Sequence, residues 1–98
     1  MSPMKRQDIE GLLGGLIEQL AAVEHERWSH WQRYVHSKCI RLSDGSLLIP
    51  AELVARWDQQ IDTKYAELGD QEKESDREQV RKYLPLIASA LAERIDHG

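Results

Sequence analysis

Apolar residues recur at helical spacing in three blocks of this chain, separated by polar breaks. In the first block, from about Lys5 to about Ser37, Ile9, Leu13, Leu16, Ile17, Leu20 and Val23 share one face, and Trp31, Tyr34 and Val35 continue it. All nine fall within roughly 60° of one line at about 100° per residue. Gly14 and Gly15 interrupt the block. Each costs a helix about 1 kcal/mol relative to Ala, so the pair marks a bend or a close backbone approach.

Residues 39–49 read as a loop, with Ser43-Asp44-Gly45-Ser46 as its turn and Leu42 and Leu47 flanking a short hairpin. Pro50 suits the first position of a second helix, where its missing N–H costs nothing. Leu53, Val54, Trp57 and Ile61 form that helix's stripe, which ends near Thr63. A connection over 64–69 is anchored by Tyr65 and Leu68. The last helix runs from Asp70 to about Ile95, with acidic residues in its first turn where the helix dipole favours them. Val80, Leu84, Ile87, Ala88, Leu91 and Ile95 make its stripe, and Pro85 should kink it from the outer side. The expected fold is all-α, a single helical domain over 1–98 with three main helices. Its long first and last helices pack antiparallel around one small core of Leu13, Leu16, Leu20, Val80, Leu84, Ile87 and Leu91.

Charges interrupt both long stripes. Glu24 and Arg27 lie in the arc of Leu20, Val23 and Trp31, while Lys73, Asp76 and Arg77 extend the line of Val80 and Leu84. Antiparallel packing would bring the two charged sections level. Because a buried charge is expensive unless paired, the expectation is a structural cluster with Glu24–Arg77 and Arg27–Asp76 pairs.

The same residues carry a resemblance. Glu24-His25-Glu26-Arg27-Trp28, then Tyr65-Ala66-Glu67-Leu68 and Glu72-Lys73-Glu74-Ser75-Asp76-Arg77, resemble the ryanodine-receptor repeat domain in order and spacing, over roughly Leu20 to Ile87. That family occurs in bacteria and phages as a small standalone module. Where it often has Gly-Trp-x-Tyr-Gly after the first helix, this chain has Tyr34-Val35-His36 and a longer polar loop. The second helix, with Trp57, stands in place of the family's short crossing segment. The resemblance implies a helical binding module whose ligand is a purine nucleotide or a protein, with no catalytic residues.

Composition narrows the classes further. Net charge is −4, from 17 acidic against 13 basic residues, which argues against a non-specific nucleic-acid binder. The longest apolar run, Leu20 to Val23, is too short to span a membrane, and no secretory signal pattern opens the chain. A single cysteine, Cys39, excludes an internal disulfide and fits a reducing compartment, the cytoplasm. No metal site is expected, since His25, His30, His36 and Cys39 have the wrong spacing for one face. No catalytic site is expected either, because Cys39 has no oxyanion-hole signature around it. No phosphate-binding loop is present, and no cofactor is called for.

The strongest ligand case combines Trp28, Trp31 and Tyr34 with Arg27, Lys73 and Arg77, because flat apolar faces beside fixed cations suit a purine and its phosphate. The competing function, from a different class, is a homo-oligomeric interaction protein such as a phage-encoded accessory or inhibitor protein. A self-associating chain needs apolar surface beyond one stripe, for which Leu12, Leu86 and Ala90 are candidates.

Overall fold

The computed structural model describes residues 4–97, the side chains of 95–97 excepted. The chain is mostly helical. Four α-helices, α1 (Arg6–Gly14), α2 (Ile17–Lys38), α3 (Ala51–Asp62) and α4 (Asp70–His97), are joined by a two-stranded sheet, β1 (Ile40–Arg41) and β2 (Leu47–Leu48), and one 3₁₀ turn at Tyr65–Glu67. It groups into two compact units, Met1–Arg27 with Arg77–Gly98, and Trp28–Asp76.

Four helices rather than three stand among the described residues because the first block divides at its glycine pair. The Gly15 N–H donates to the Gly11 and Leu12 carbonyls, both at 3.2 Å, and Leu16 N–H reaches only the Leu13 carbonyl at 3.0 Å. The ladder thus tightens to three-residue steps for one turn before α2 resumes. A Cβ on Gly15 would sit 3.3 Å from the Leu12 carbonyl oxygen, a separation that requires the neighbour to give way. At the start of α1, Asp8 accepts the backbone N–H of Lys5 at 3.2 Å, satisfying a donor that the helix leaves unpaired.

In the first unit the core gathers around Leu16, 6% exposed. Leu12, Leu13, Leu20 and Val23 are half-buried beside it in sequence, as are Leu86, Ile87, Ala90 and Leu91 of α4. Leu12, Gly15, Leu16, Ala90, Glu93 and Arg94 line one shallow cleft of about 370 Å³, so the α1–α2 junction lies beside the C-terminal turns of α4. Two expected core residues are corrected: Val80 is 51% and Leu84 54% exposed. In their place Gln79 and Tyr83 are half-buried, while further along α4 Leu86 and Ala90 are half-buried beside the expected Ile87 and Leu91. Polar Gln79 and Tyr83 hide this seam from a reading that follows aliphatic residues alone. Ile17 also leaves the expected stripe, at 63% exposed, because the break at Gly15 resets the helical phase. Ile95 lies outside the residues whose side chains are described.

In the second unit the hairpin forms, with Ile40 opposite Leu48 and Arg41 opposite Leu47. Its turn closes through Gly45 N–H to the Leu42 carbonyl at 3.0 Å and Leu42 N–H to the Ser46 carbonyl at 2.8 Å. Gly45 sits at φ 92°, a left-handed conformation that side chains disfavour, which explains the glycine. Pro50 is the residue before α3 rather than its first residue, with extended ψ of 143°. Leu53 and Trp57 of α3 are half-buried, whereas Val54 and Ile61 of the same expected stripe are 40% and 78% exposed. Gln60 donates to Glu72 at 3.2 Å, tying α3 to the first turn of α4. Helix α4 continues through Pro85, whose ring is exposed, as expected of a proline on the outer side.

Candidate functional site

The residues expected to form a ligand site belong to different units: Arg27 and Arg77 to the first, Trp28, Trp31 and Lys73 to the second. Within the second, Trp31 stacks on Tyr34 with ring centroids 5.4 Å apart and meets Trp57 edge-on at 6.0 Å. The spacing of three residues along α2 makes the first contact, and α3 supplies the second. Trp28, Trp31 and Tyr34 remain 59%, 46% and 37% exposed. The Lys38 ammonium lies 5.6 Å from the centre of the Tyr34 ring. Tyr34 and Lys38 are one helical turn apart, a spacing that could have flagged this contact in the sequence. The Lys73 ammonium lies over Tyr65 at 5.8 Å. Such cation–aromatic contacts are worth about 0.5–1 kcal/mol at exposed sites.

Glu24, Arg27, Asp76 and Arg77 are all exposed, so the desolvation that would make each partner indispensable is absent. Arg27 pairs with Glu24 across one turn of α2, Nη2 to Oε2 at 3.1 Å and Nε to Oε2 at 3.3 Å. Both side chains are about half exposed, 52% and 51%, and a pair of this kind contributes about 0–1 kcal/mol.

Two polar atoms on the packed face of α4, Gln79 Oε1 and Tyr83 Oη, are shielded from solvent without a hydrogen-bond partner. Each is a local cost of burying that seam. In the hairpin turn, Ser46 N–H donates to Asp44 Oδ1 at 2.9 Å. This bond, with the Ser46 hydroxyl adding to it, holds the Asp44 carboxyl below its ordinary pKa. Cys39 is a half-buried free thiol just after α2. Among the described residues no three His, Cys, Asp or Glu side chains converge as metal ligands, and no helix is long and apolar enough to cross a membrane.

No family model matches this chain, and no curated protein or solved structure matches it. Both units leave apolar surface open: Ile17, Val80 and Leu84 in the first, and Ile40, Leu48 and Ile61 besides the aromatic cluster's own exposed rings in the second.

Proposed function

We propose that this chain is a non-enzymatic interaction protein that works as an assembly of identical copies. The supporting observation is the state of its hydrophobic residues. Among those described only Leu16 is buried, while Ile17, Trp28, Ile61, Val80 and Leu84 are each more than half exposed. Scattered apolar residues on a surface are ordinary, but a chain with one buried aliphatic side chain lacks the core that usually stabilises a domain this small. A second copy supplies the missing partner surface. In this reading α2 and α4 run antiparallel in the first unit, with the α1–α2 junction beside the C-terminal turns of α4 at the cleft. The lone cysteine supports a cytoplasmic setting. Thermal unfolding across a wide range of protein concentration tests the proposal. A midpoint that climbs with concentration is expected, because association stabilises by mass action. A cooperative transition at a fixed midpoint would contradict it.

The stacked, exposed Trp31 and Tyr34 support a second reading, in line with the resemblance to the ryanodine-receptor repeat. Here a purine ring lies on an open tryptophan face of the second unit, Trp28 or Trp31. Tryptophan fluorescence during titration with ATP and GTP checks it. Saturable quenching is expected, and an unchanged signal at millimolar nucleotide removes the reading.

A further inference from the structure

We infer that Asp44–Gly45 is a self-modification site: when the hairpin turn opens, the Gly45 amide nitrogen closes on the Asp44 carboxyl and the linkage passes to isoaspartate. The chemistry needs no enzyme, no cofactor and no second chain, so it is independent of the self-association proposed above.

The residue types make this bond reactive. Of the aspartates in the chain, only Asp44 precedes a glycine. Attack by the following amide nitrogen on an aspartate carboxyl closes a five-membered ring, and ring closure within one molecule requires no encounter. A side chain on the following residue would crowd the attacking nitrogen, and glycine has none. Asp44, Gly45 and Ser46 are all exposed, so water and base reach them.

The steps balance. The Gly45 nitrogen loses its proton and bonds to the side-chain carboxyl carbon of Asp44. The carboxyl OH takes up a proton and leaves as water, which gives a succinimide. Water then opens the ring. Opening at the former side-chain carbonyl restores aspartate, whereas opening at the main-chain carbonyl leaves isoaspartate, with the main chain running through the former side chain. One water leaves, one enters, and nothing is oxidised or reduced.

The folded turn commits both reacting groups to other partners. Gly45 N–H donates to the Leu42 carbonyl at 3.0 Å, so the nucleophile keeps its proton. Asp44 Oδ1 accepts the Ser46 N–H at 2.9 Å. That bond favours the ionised carboxyl, whereas the ring closes from the neutral acid, whose OH leaves as water. The strands on either side are only two residues each, so the turn opens locally without the helices unfolding. Two exposed bonds of ordinary strength favour the closed turn by roughly tenfold. The rate of modification is therefore set by how often the hairpin opens.

Modification also removes the way back. In isoaspartate the main chain is one carbon longer between residues 44 and 45, and the free carboxylate hangs from the Cα. The Gly45–Leu42 and Ser46–Asp44 bonds both depend on the original loop length and on the original carboxylate position. A transient opening thus becomes a permanent one in the segment between α2 and α3.

Incubation of the full chain at neutral pH, folded in buffer and unfolded in guanidinium chloride, tests this. Asp44→Glu is the control, because its longer side chain cannot close the five-membered ring. Trypsin releases residues 42–56, in which Asp44 is the only aspartate. The aspartate and isoaspartate peptides have equal mass and separate by chromatography, and an endoproteinase that cuts before aspartate cleaves only the first. The succinimide appears as a peptide lighter by one water. Isoaspartate at position 44 should accumulate in the unfolded chain, about tenfold more slowly in the folded chain, and not in Asp44→Glu. In folded chains that carry it, the Leu42 and Gly45 amides should exchange fast while α2 and α3 stay protected. Absence of isoaspartate from the unfolded chain overturns the site. An equal or faster reaction in the folded chain overturns control by the turn. Protected Leu42 and Gly45 amides in the modified chain overturn the permanence of the opening.

Discussion

The two units of this molecule hold their structure in different ways. The second is fixed by short-range chemistry: a glycine turn, an aspartate bound to the backbone two residues on, stacked aromatic rings and a Gln60–Glu72 hydrogen bond. None of these requires a deep core, and Trp28–Asp76 contains no buried aliphatic residue among those described. The first unit has local bonds too, Lys5 N–H to Asp8, Arg6 to Glu10 and Arg27 to Glu24, but all lie within single helical turns at the surface. It depends on aliphatic seams, of which one is covered around Leu16 and the next is open at Val80 and Leu84. Local chemistry can specify a small structure without burying much, but helices with a wide apolar arc require something to cover it.

The sharpest way to break the comparison is to remove the side chain on which the first unit is centred. Leu16→Ala should destabilise that unit by about 2–5 kcal/mol, read as lost amide-exchange protection in residues 17–27 and 77–94. Protection in the hairpin turn should persist, because its bonds are local. Equal loss in both regions would show that the units do not differ as argued.

The complementary change is Gly45→Ala. A Cβ meets no neighbour there, so the cost is one of backbone conformation, about 1–2 kcal/mol for a left-handed position. Faster exchange is expected at the Leu42 and Gly45 amides, with the first unit unaffected. Retained protection would mean that the turn is not what holds the strands.

Tyr83→Phe sharpens the picture of the covered seam. It removes a shielded hydroxyl that has no partner and keeps the ring. Denaturant unfolding should show stability unchanged or raised by up to about 1 kcal/mol, whereas a clear loss would reveal a hydrogen bond to that oxygen.

The smallest effect concerns pH. The carboxyl of Asp44 has a lowered pKa in the folded chain, so its stabilisation of the turn is fully present above the ordinary carboxylate value of about 3.9. It is lost as pH falls through the folded value. An NMR titration should place the Asp44 midpoint below that ordinary value, and Ser46→Ala, which removes the hydroxyl, should move it partway back. A midpoint at the ordinary value would remove Asp44 from the account of the turn.

Much of the fold is legible in the residues, and the failures share one cause. The hairpin turn, the end of α3 near Thr63 and the start of α4 at Asp70 follow from Gly, Pro and capping preferences, which act over a few residues. The core of the first unit is harder to read. Val80 and Leu84 look like the core because they are aliphatic, yet Gln79 and Tyr83 occupy the packed side. Periodicity measures how wide an apolar arc is, and an arc wide enough for two partners does not reveal which half is used within the chain. Glu24 and Arg27 share the projected arc of the core, but their long side chains reach each other at the surface. The candidate ligand residues were recognisable as aromatic and cationic types, while their partition between two units was not.

The central claim is that apolar surface left open on the single chain is covered by a second copy. Sedimentation equilibrium of the unmodified protein at micromolar concentration tests it most directly. The account expects a particle of twice the 11.3 kDa chain mass, dissociating only on strong dilution. A folded, helical particle of 11.3 kDa at every concentration would contradict it.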